Sequence, residues 1–324
     1  AALVVIGDDF SFSLSPHHPH YPITLSPITL GGMMSSNLDD GLRNAPGETT
    51  DWMRPRVLVT GANGLIGGFV MNAWRASGSQ FDPVGLARQP GPNADIVADI
   101  GDLDALVAAC AGIDAIVHLA ATSAVESSWE AVLASNLIGT YNVFEAARRA
   151  GVPRVVFASS NHAIGTYELQ AAPALYDLDD DRVYDHTAEI RPDSLYGVSK
   201  VYGEALGRHY VDQHGLSVVC LRIGGTRDPG HHSHPNQLWA DMSDRRPETL
   251  ALRRRMRAVW LSERDCVQLI EKSLLTQEPW VLAYGISNNP RRFWDIEHAR
   301  RVLGYEPQDA APALIGDEDA GGTG

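Results

Sequence analysis

The chain has 324 residues, of which 40 are acidic and 26 are basic, and its formal net charge at pH 7 is −14. This charge argues against nucleic acid and anionic membrane surfaces as partners. The three cysteines, Cys110, Cys220 and Cys266, stand alone in apolar segments, which is typical of reduced core thiols in a cytoplasmic protein, and no apolar run approaches the ~20 residues of a membrane span.

Residues 1–53 are a different kind of sequence from the rest. They contain the run Pro16–His20 and scattered serines and threonines, without a sustained helical or strand period. Met53 stands three residues before the first predicted strand. We therefore expect residues 1–53 to be a disordered or spurious extension with Met53 as the natural start, and residues 311–324 to form a flexible tail.

From residue 56 onward, apolar strand segments alternate with helical segments. This alternation predicts an α/β fold, a Rossmann-type doubly wound parallel sheet with a small C-terminal substrate-binding region. Two stretches, 165–193 and 225–255, interrupt it, and loops of this length are usually functional. Strands are expected near 56–60, 82–86, 95–98, 115–119, 154–159, 217–222 and 281–286. Helices are expected at about 65–77 and 294–303, and a further helical pattern that contains Tyr196 continues to about residue 213.

A glycine-rich turn follows the first predicted strand. Gly61, Gly64 and Gly67 are spaced G-x-x-G-x-x-G between that strand and a predicted helix. Glycines permit a tight turn and a close approach of backbone N–H groups to a pyrophosphate at a helix N-terminus. Because glycine is common in such turns, the strand–loop–helix context is what makes the motif indicate a dinucleotide site.

Tyr196 and Lys200 are spaced i,i+4 in a predicted helix, which places both side chains on one face. A phenol has an ordinary pKa of about 10, and a neighbouring ammonium lowers it. The pair is therefore a candidate for taking a proton from an alcohol without a metal. A solvated helix face shows the same spacing, so the pair alone is weak evidence. His231–His234 hold three histidines, but no carboxylate or cysteine stands at ligand spacing, and we predict no metal site.

Together with Ser160 at the end of a predicted strand, these segments resemble the extended short-chain dehydrogenase/reductase family, also called the NAD-dependent epimerase/dehydratase family. The resemblance covers residues 54–310, with a cofactor part at about 54–165 and substrate loops at about 165–193 and 225–258. It implies a catalytic triad of Ser160, Tyr196 and Lys200, and it implies that Asn136 supports a proton relay.

The resemblance also implies an NAD(P) cofactor. It implies that Asp99 accepts a hydrogen bond from the adenine amino group. Relatives that prefer NAD carry a carboxylate at the end of the second strand, whereas this chain has Ala87 and Arg88 there, which favours NADP because an arginine pairs with a 2′-phosphate. The implied cofactor-binding residues are Gly61, Asn63, Gly64, Leu65, Ile66, Gly67, Arg88, Asp99, Ile100, Leu119, Ala120, Ala121, Tyr196 and Lys200.

Within the family, residues 157–165, 219–224, 260–262 and 284–289 are similar to uronate dehydrogenases. That similarity implies oxidation of the C1 hydroxyl of a hexuronate to the lactone, with Arg255 binding the carboxylate. The same segments resemble haloarchaeal NAD-dependent glucose-6-phosphate dehydrogenases, and the longer 225–255 insertion leaves the sugar open. The implied substrate-binding residues are Ser123, Ser160, Asn161, His162, Tyr196 and Arg255.

Other activities of the family remain as alternatives. A sugar-nucleotide dehydratase needs an Asp-Glu pair after the catalytic serine, where this chain has Asn161 and His162, so that activity is disfavoured. A 4-epimerase needs only the triad and stays open. A non-catalytic NAD(P) sensor typically loses the tyrosine or the lysine, and both are present. The resemblance further implies a homodimer or higher oligomer that pairs through two helices, one of them bearing Tyr196.

Overall fold

The computed structural model describes residues 54–240 and 243–312. The extension expected at residues 1–53 and nearly all of the tail expected at 311–324 lie outside the described residues. Within the described part, a parallel sheet carries helices on both faces, and the predicted α/β Rossmann-type fold is confirmed.

The sheet has seven strands in the order β3-β2-β1-β4-β5-β6-β7, and every neighbouring pair is parallel. From β1 the strand order runs one way to β3 and from β4 it runs the other way to β7, so the order reverses between β1 and β4. Ligands of open α/β sheets bind in the crevice at such a point. The strands are β1 (Arg56–Thr60), β2 (Asp82–Ala87), β3 (Ile96–Val97), β4 (Ala115–His118), β5 (Arg154–Ser160), β6 (Ser217–Ile223) and β7 (Trp280–Gly285).

Helices follow the strands and cover both faces of the sheet. They are α1 (Leu65–Arg75), α2 (Leu103–Ala109), α3 (Trp129–Ala131), α4 (Gly139–Ala150), α5 (Thr166–Ala171), α6 (Leu195–His214), α7 (Pro235–Ala240), α8 (Pro247–Val259), α9 (Glu263–Leu275) and α10 (Glu297–Leu303). A π-helical segment, Val132–Ile138, joins α3 to α4, and short 3₁₀ turns lie at Asn161–Ile164 and Ala174–Tyr176.

Alternate residues of the central strands supply two separate cores. Val57 and Val59 of β1 pack with side chains of α1, α9 and α10, whereas Leu58 between them packs with side chains of α2, α4 and α6. All three β1 side chains are fully buried. Buried on both faces, the strands read as continuous apolar runs, as parallel sheets do. All three cysteines are free and buried, as predicted.

The region expected to be a long loop at residues 225–258 is mostly helical, so that expectation was wrong. It contains α7 and α8. A run of arginines in a sequence suggests a solvated surface segment, which is why the helix was not expected. Arg253 and Arg257 are in fact 1% and 0% exposed. Their guanidinium groups donate to backbone carbonyls of Leu238 and Tyr176. Among the described residues, no helix combines the length and apolar character needed to cross a bilayer.

Candidate active site

The turn after β1 requires glycine at two positions for different reasons. Gly61 has φ +74°, and a Cβ there would lie 2.8 Å from the backbone nitrogen of Ala120 on the neighbouring strand's loop. A Cβ on Gly67 would lie 2.2 Å from the carbonyl oxygen of Gly61. The first glycine therefore permits the left-handed turn and the third lets α1 pack closely against it.

The N-terminus of α1 opens onto a cavity of about 470 Å³. No side chain caps this helix, and its first turn contains no acidic residue. The first N–H groups of a helix have no intrahelical partner and bind anions well. Gly64, Leu65 and Ile66 line the cavity together with Leu119, Ala120 and Ala121 from the loop after β4. This cradle fits a dinucleotide pyrophosphate.

The remaining predicted cofactor residues lie outside that cavity. Asn63 braces the turn: its Nδ2 donates to the carbonyl of Gln89 (3.0 Å), and its Oδ1 accepts from the backbone N–H of Asn93 (3.1 Å). Asp99 is exposed and accepts from the backbone of Gly101 at 2.8 Å. Ile100 is buried in the core, and Arg88 is exposed just beyond β2. Their contacts with a cofactor stay predictions.

The predicted triad meets at one end of the cavity. Ser160 ends β5, and Tyr196 and Lys200 lie one turn apart on α6. All three line the cavity, yet each is at most 9% exposed. Ser194 caps α6 by accepting from the N–H of Gly197 at 3.0 Å, which fixes where the helix begins. The spacing seen in the sequence therefore becomes a convergent site.

Lys200 is buried beside the tyrosine. Its Nζ donates to the carbonyl oxygen of Ala158 at 2.7 Å and lies 5.4 Å from the centroid of the Tyr196 ring. Burial lowers the pKa of Lys200 to about 8, although Glu204 opposes this shift. The ammonium is therefore near its titration range at neutral pH.

The expectation that the ammonium lowers the pKa of Tyr196 was wrong for the protein alone. Burial raises the pKa of Tyr196, and the negative charge of Asp193 adds to this, while a hydrogen bond with Ser160 opposes it. The Nζ of Lys200 lies 5.4 Å from the centroid of the tyrosine ring, yet burial has the larger effect on the pKa of Tyr196. Phenolate formation therefore needs more positive charge than Lys200 alone supplies.

A buried ion pair holds α6 against the sheet beneath the triad. Arg222 of β6 and Glu204 of α6 form two hydrogen bonds of 2.9 and 2.8 Å, and their side chains are 1% and 5% exposed. Ser159, next to Ser160, donates to the same carboxylate at 2.5 Å. The network links β5, β6 and α6, so the serine and the tyrosine have fixed relative positions.

Asn136 lies in the π-helical segment and is 2% exposed. Its side chain accepts from the backbone N–H of Thr122 (2.8 Å) and donates to the carbonyl of Thr122 (3.0 Å) and to Ser199 Oγ (2.9 Å). These bonds tie the loop after β4 to α6. A π-helical segment such as this one often marks a functional site. The proton-relay role of Asn136 stays a prediction.

His162 forms a pair with Asp193 that the sequence pattern did not indicate. Its Nδ1 lies 2.6 Å from Asp193 Oδ2, and its ring packs against that of Tyr196 at 5.8 Å. Burial favours a protonated Asp193, but hydrogen bonds from His162 and Ser194 outweigh it and lower the pKa of the carboxyl group. A Cβ on Gly165 would lie 2.0 Å from the same carboxylate, so glycine makes the approach possible.

Arg255 lies on α8 and lines the same cavity as the triad. Its Nε and Nη2 donate to the two carboxylate oxygens of Glu168 at 2.7 and 3.3 Å, and the hydroxyl of Tyr176 donates to the same carboxylate at 2.7 Å. Glu168 is 5% exposed. The predicted anion-binding arginine is therefore held in place by an ion pair of its own.

Three further side chains at this end of the cavity can contact a sugar. Ser123 is exposed at the rim. Asn161 is 3% exposed, and its Nδ2 has no hydrogen-bond partner. A buried amide without an acceptor is unfavourable, so this group is ready to bind a ligand hydroxyl. Arg227, which the sequence analysis missed, lines the same cavity. In the described part of the chain, no group of acidic, histidine and cysteine side chains is arranged to hold a metal ion.

Comparison with known proteins agrees with this geometry. Residues 57–270 match the model of the NAD dependent epimerase/dehydratase family. The chain is 38% identical over 264 residues to the NAD-dependent glucose-6-phosphate dehydrogenase of Haloferax volcanii, covering 78% of this chain and 93% of that protein. It is 37% identical over 265 residues to the L-arabinose 1-dehydrogenase (NAD(P)(+)) of the same organism, covering 80% and 99%.

Uronate dehydrogenases are similar in sequence and in structure. That of Pseudomonas putida is 37% identical over 265 residues, covering 79% of this chain and 85% of that protein. The crystal structure of uronate dehydrogenase from Agrobacterium tumefaciens has a TM-score of 0.61 and 34% identity, covering 79% of this chain and 85% of that one. Relatives of comparable identity thus act on three different sugars.

Proposed function

Because the chain belongs to the NAD-dependent epimerase/dehydratase family, we propose that it is an NAD(P)-dependent dehydrogenase that oxidises the C1 hydroxyl of an anionic cyclic sugar to the lactone. The observation that carries the proposal is the convergence of Ser160, Tyr196 and Lys200 on a cavity that Arg255 also lines. The activities of the relatives support the reaction, since each is a sugar dehydrogenase.

The residues divide the chemistry between them. When bound, the nicotinamide supplies the hydride acceptor for C1. Tyr196 removes the proton of the C1 hydroxyl, and Ser160 donates a hydrogen bond to the oxygen that becomes the carbonyl. Lys200 contributes positive charge that favours the phenolate. Asn161 and His162 orient the ring hydroxyls, and Asp193 fixes the orientation of the histidine ring.

The anionic group of the sugar distinguishes two candidate substrates. A hexuronate places a carboxylate on the ring, and the sequence resemblance pairs that carboxylate with Arg255. A hexose 6-phosphate is the second candidate. Arg227 lines the same cavity, and it has no carboxylate partner among the described residues. A neutral pentose would leave Arg227 without a counterion, whereas Arg255 keeps the carboxylate of Glu168.

NADP is the cofactor that the end of β2 favours. Arg88 is exposed directly after the strand, and no carboxylate occupies the position that would bind a ribose 2′-hydroxyl. An arginine at this place can pair with a 2′-phosphate. The names of the relatives include both NAD and NAD(P), so both nucleotides belong in the assay.

The experiment is the absorbance at 340 nm of the purified protein with NAD or NADP and each of four sugars: galacturonate, glucuronate, glucose 6-phosphate and arabinose. Reduced cofactor with an anionic sugar is the expected result. Turnover of arabinose alone would contradict the anionic substrate. Cofactor that copurifies, with no reduction by any sugar, would instead support the epimerase alternative.

We also propose a homodimer that pairs through α4 and α6. Ile138 and Tyr141 at the start of α4, and Leu195 and Val198 at the start of α6, are 42–47% exposed. Large apolar side chains grouped on adjacent helices favour association. Light scattering of the eluting protein checks this: twice the mass of the 35.1 kDa chain is expected, and the mass of a single chain would contradict it.

A further inference from the structure

Arg227 follows β6 after Gly224, Gly225 and Thr226 and lines the same cavity as Tyr196 and Arg255. Its Nε donates to Ser233 Oγ at 3.0 Å, and its Nη1 donates to the carbonyl of Thr226 at 2.6 Å. Among the described residues, Nη2 has no hydrogen-bond acceptor and the guanidinium has no carboxylate partner. The side chain is partly buried, so an unpaired charge is held at the cavity wall.

The histidine-rich segment that the proposed reaction leaves unused holds this arginine. His231 Nδ1 accepts from the backbone N–H of Ser233 at 3.1 Å and lies 2.7 Å from Ser233 Oγ. Because Nδ1 accepts the backbone N–H, it is unprotonated, and the serine hydroxyl donates to it. Ser233 Oγ is then free to accept from Arg227 Nε. Ser233 is 4% exposed, whereas His231 is exposed, so a buried serine hydroxyl links a surface histidine to Arg227.

The charges around the two arginines are unequal. Arg255 already has a carboxylate, because Glu168 binds it through two hydrogen bonds. Arg227 has none, and its pKa is lowered first by burial and then by the positive charge of Arg255. Two guanidinium groups against one carboxylate leave one positive charge in excess. An anion bound between them removes their mutual repulsion.

We propose that Arg227 is a specificity-determining residue that binds the anionic group of the sugar together with Arg255, and that the pair selects a phosphate monoester over a carboxylate. This inference rests on the proposed function. A phosphate monoester carries about −1.5 to −2 charges at pH 7 and three acceptor oxygens. A carboxylate carries one charge and two oxygens. A phosphate therefore has one more oxygen and more charge than a carboxylate with which to engage both arginines while Glu168 stays bound to Arg255.

Kinetics of Arg227→Gln test the proposal. We expect the native enzyme to favour glucose 6-phosphate over glucuronate in kcat/KM. In the variant, KM for glucose 6-phosphate should rise by about 10- to 100-fold, as for a lost charge-assisted hydrogen bond, with a smaller change in kcat. KM for glucuronate should rise less, and the cofactor KM should not change. Ser233→Ala should shift the same ratio in the same direction by a smaller factor.

The matched control is Arg208→Gln, which removes an exposed arginine of α6 that pairs with Asp212. This variant should leave every constant at the native value. Inorganic phosphate provides a measurement that needs no turnover. With saturating NADP present to occupy the anion-binding start of α1, phosphate should raise the melting temperature of the native protein, and Arg227→Gln should abolish that rise.

The outcomes separate this inference from the proposed function. Turnover of uronates but not of glucose 6-phosphate overturns the selection of a phosphate, as does an unchanged KM for glucose 6-phosphate in Arg227→Gln. Failure of every sugar to reduce the cofactor overturns the proposed function. In that case, stabilisation by phosphate that depends on Arg227 still supports the anion site, and its absence overturns the site as well.

Discussion

The two halves of the cavity are built in different ways. The cofactor half consists of backbone: the turn from Gly61 to Gly67 and the uncapped start of α1 provide its surface. The substrate half consists of side chains from distant parts of the chain. Arg255 meets Glu168 across 87 residues, and His162 meets Asp193 across 31. A site formed by backbone is sensitive to substitution only at the few glycines that shape it. A site formed by side chains can be altered by substitution at many positions.

This difference fits relatives that share a reaction type and differ in the sugar. Three relatives at 37–38% identity are dehydrogenases of glucose 6-phosphate, arabinose and uronate. A change in α8 or in the loop after β6 alters the substrate half. It leaves the turn after β1 as it was.

The largest effect is expected from Tyr196→Phe. Removing the hydroxyl should lower kcat by about 10²- to 10⁴-fold, the usual contribution of a positioned general base. The cofactor half should be intact, so the dissociation constant of the nucleotide, measured by fluorescence titration, should stay near the native value. A variant that keeps native turnover would show that Tyr196 is not the base.

The next effect is expected from Gly67→Ala compared with Gly68→Ala. A Cβ at Gly67 would lie 2.2 Å from a backbone oxygen, whereas at Gly68 the nearest atom within reach is a side-chain nitrogen at 3.9 Å. We expect Gly67→Ala to weaken nucleotide binding and to lower the free energy of unfolding by about 1–3 kcal/mol. Gly68→Ala, inside the same helix, should raise it by about 0.5–1 kcal/mol.

If the two alanine variants had the same nucleotide affinity and the same free energy of unfolding, a cofactor half built from backbone would be contradicted. Chemical denaturation and nucleotide titration of both proteins provide the comparison. The KM for the sugar, extrapolated to saturating nucleotide, should stay near the native value in Gly68→Ala.

The smallest effect is expected from Asp193→Asn, which weakens the substrate half. The pKa of Asp193 is lowered in the folded protein, so its contribution to stability is present above the ordinary carboxyl pKa of about 3.9 and is lost as the pH falls through the lower folded value. We expect the variant to be less stable by about 1 kcal/mol from pH 5 to 7. The difference in melting temperature should shrink below about pH 4.

The control is Asp212→Asn, which changes an exposed ion pair. Its melting temperature should differ little from that of the native protein at any of these pH values. A deficit of Asp193→Asn that grows on acidification would contradict the assignment. The variant should also raise KM for the sugar, because His162 loses the carboxylate that orients its ring.

The sequence was sufficient for the fold because strands and helices are patterns within a few residues. The grouping of Ser160, Tyr196 and Lys200 came from the family resemblance, and the structure brings these side chains to one cavity. Neither source indicated how deeply Tyr196 is buried, and burial has the largest effect on its pKa.

All the predicted substrate-binding residues line the cavity, but the burial of α8 and the position of Arg227 escaped prediction. An arginine run signals a solvated surface, yet Arg253 and Arg257 are buried because backbone carbonyls of Leu238 and Tyr176 accept their hydrogen bonds. Those partners lie 15 and 81 residues away. Arg227 follows a strand as many loop arginines do, and only the folded chain places it beside Arg255.

The uncapped start of α1 also affects how long the protein survives. The first N–H groups of this helix have no side-chain partner of their own, so a bound pyrophosphate completes the helix as well as serving the reaction. At a concentration 100 times its dissociation constant, a ligand of the folded state adds about 2.7 kcal/mol of stability, which lowers the unfolded fraction roughly 100-fold. Proteases act on that fraction. We therefore expect the cellular lifetime of this chain to depend on the supply of nucleotide, so that starvation for the cofactor removes the protein as well as its activity.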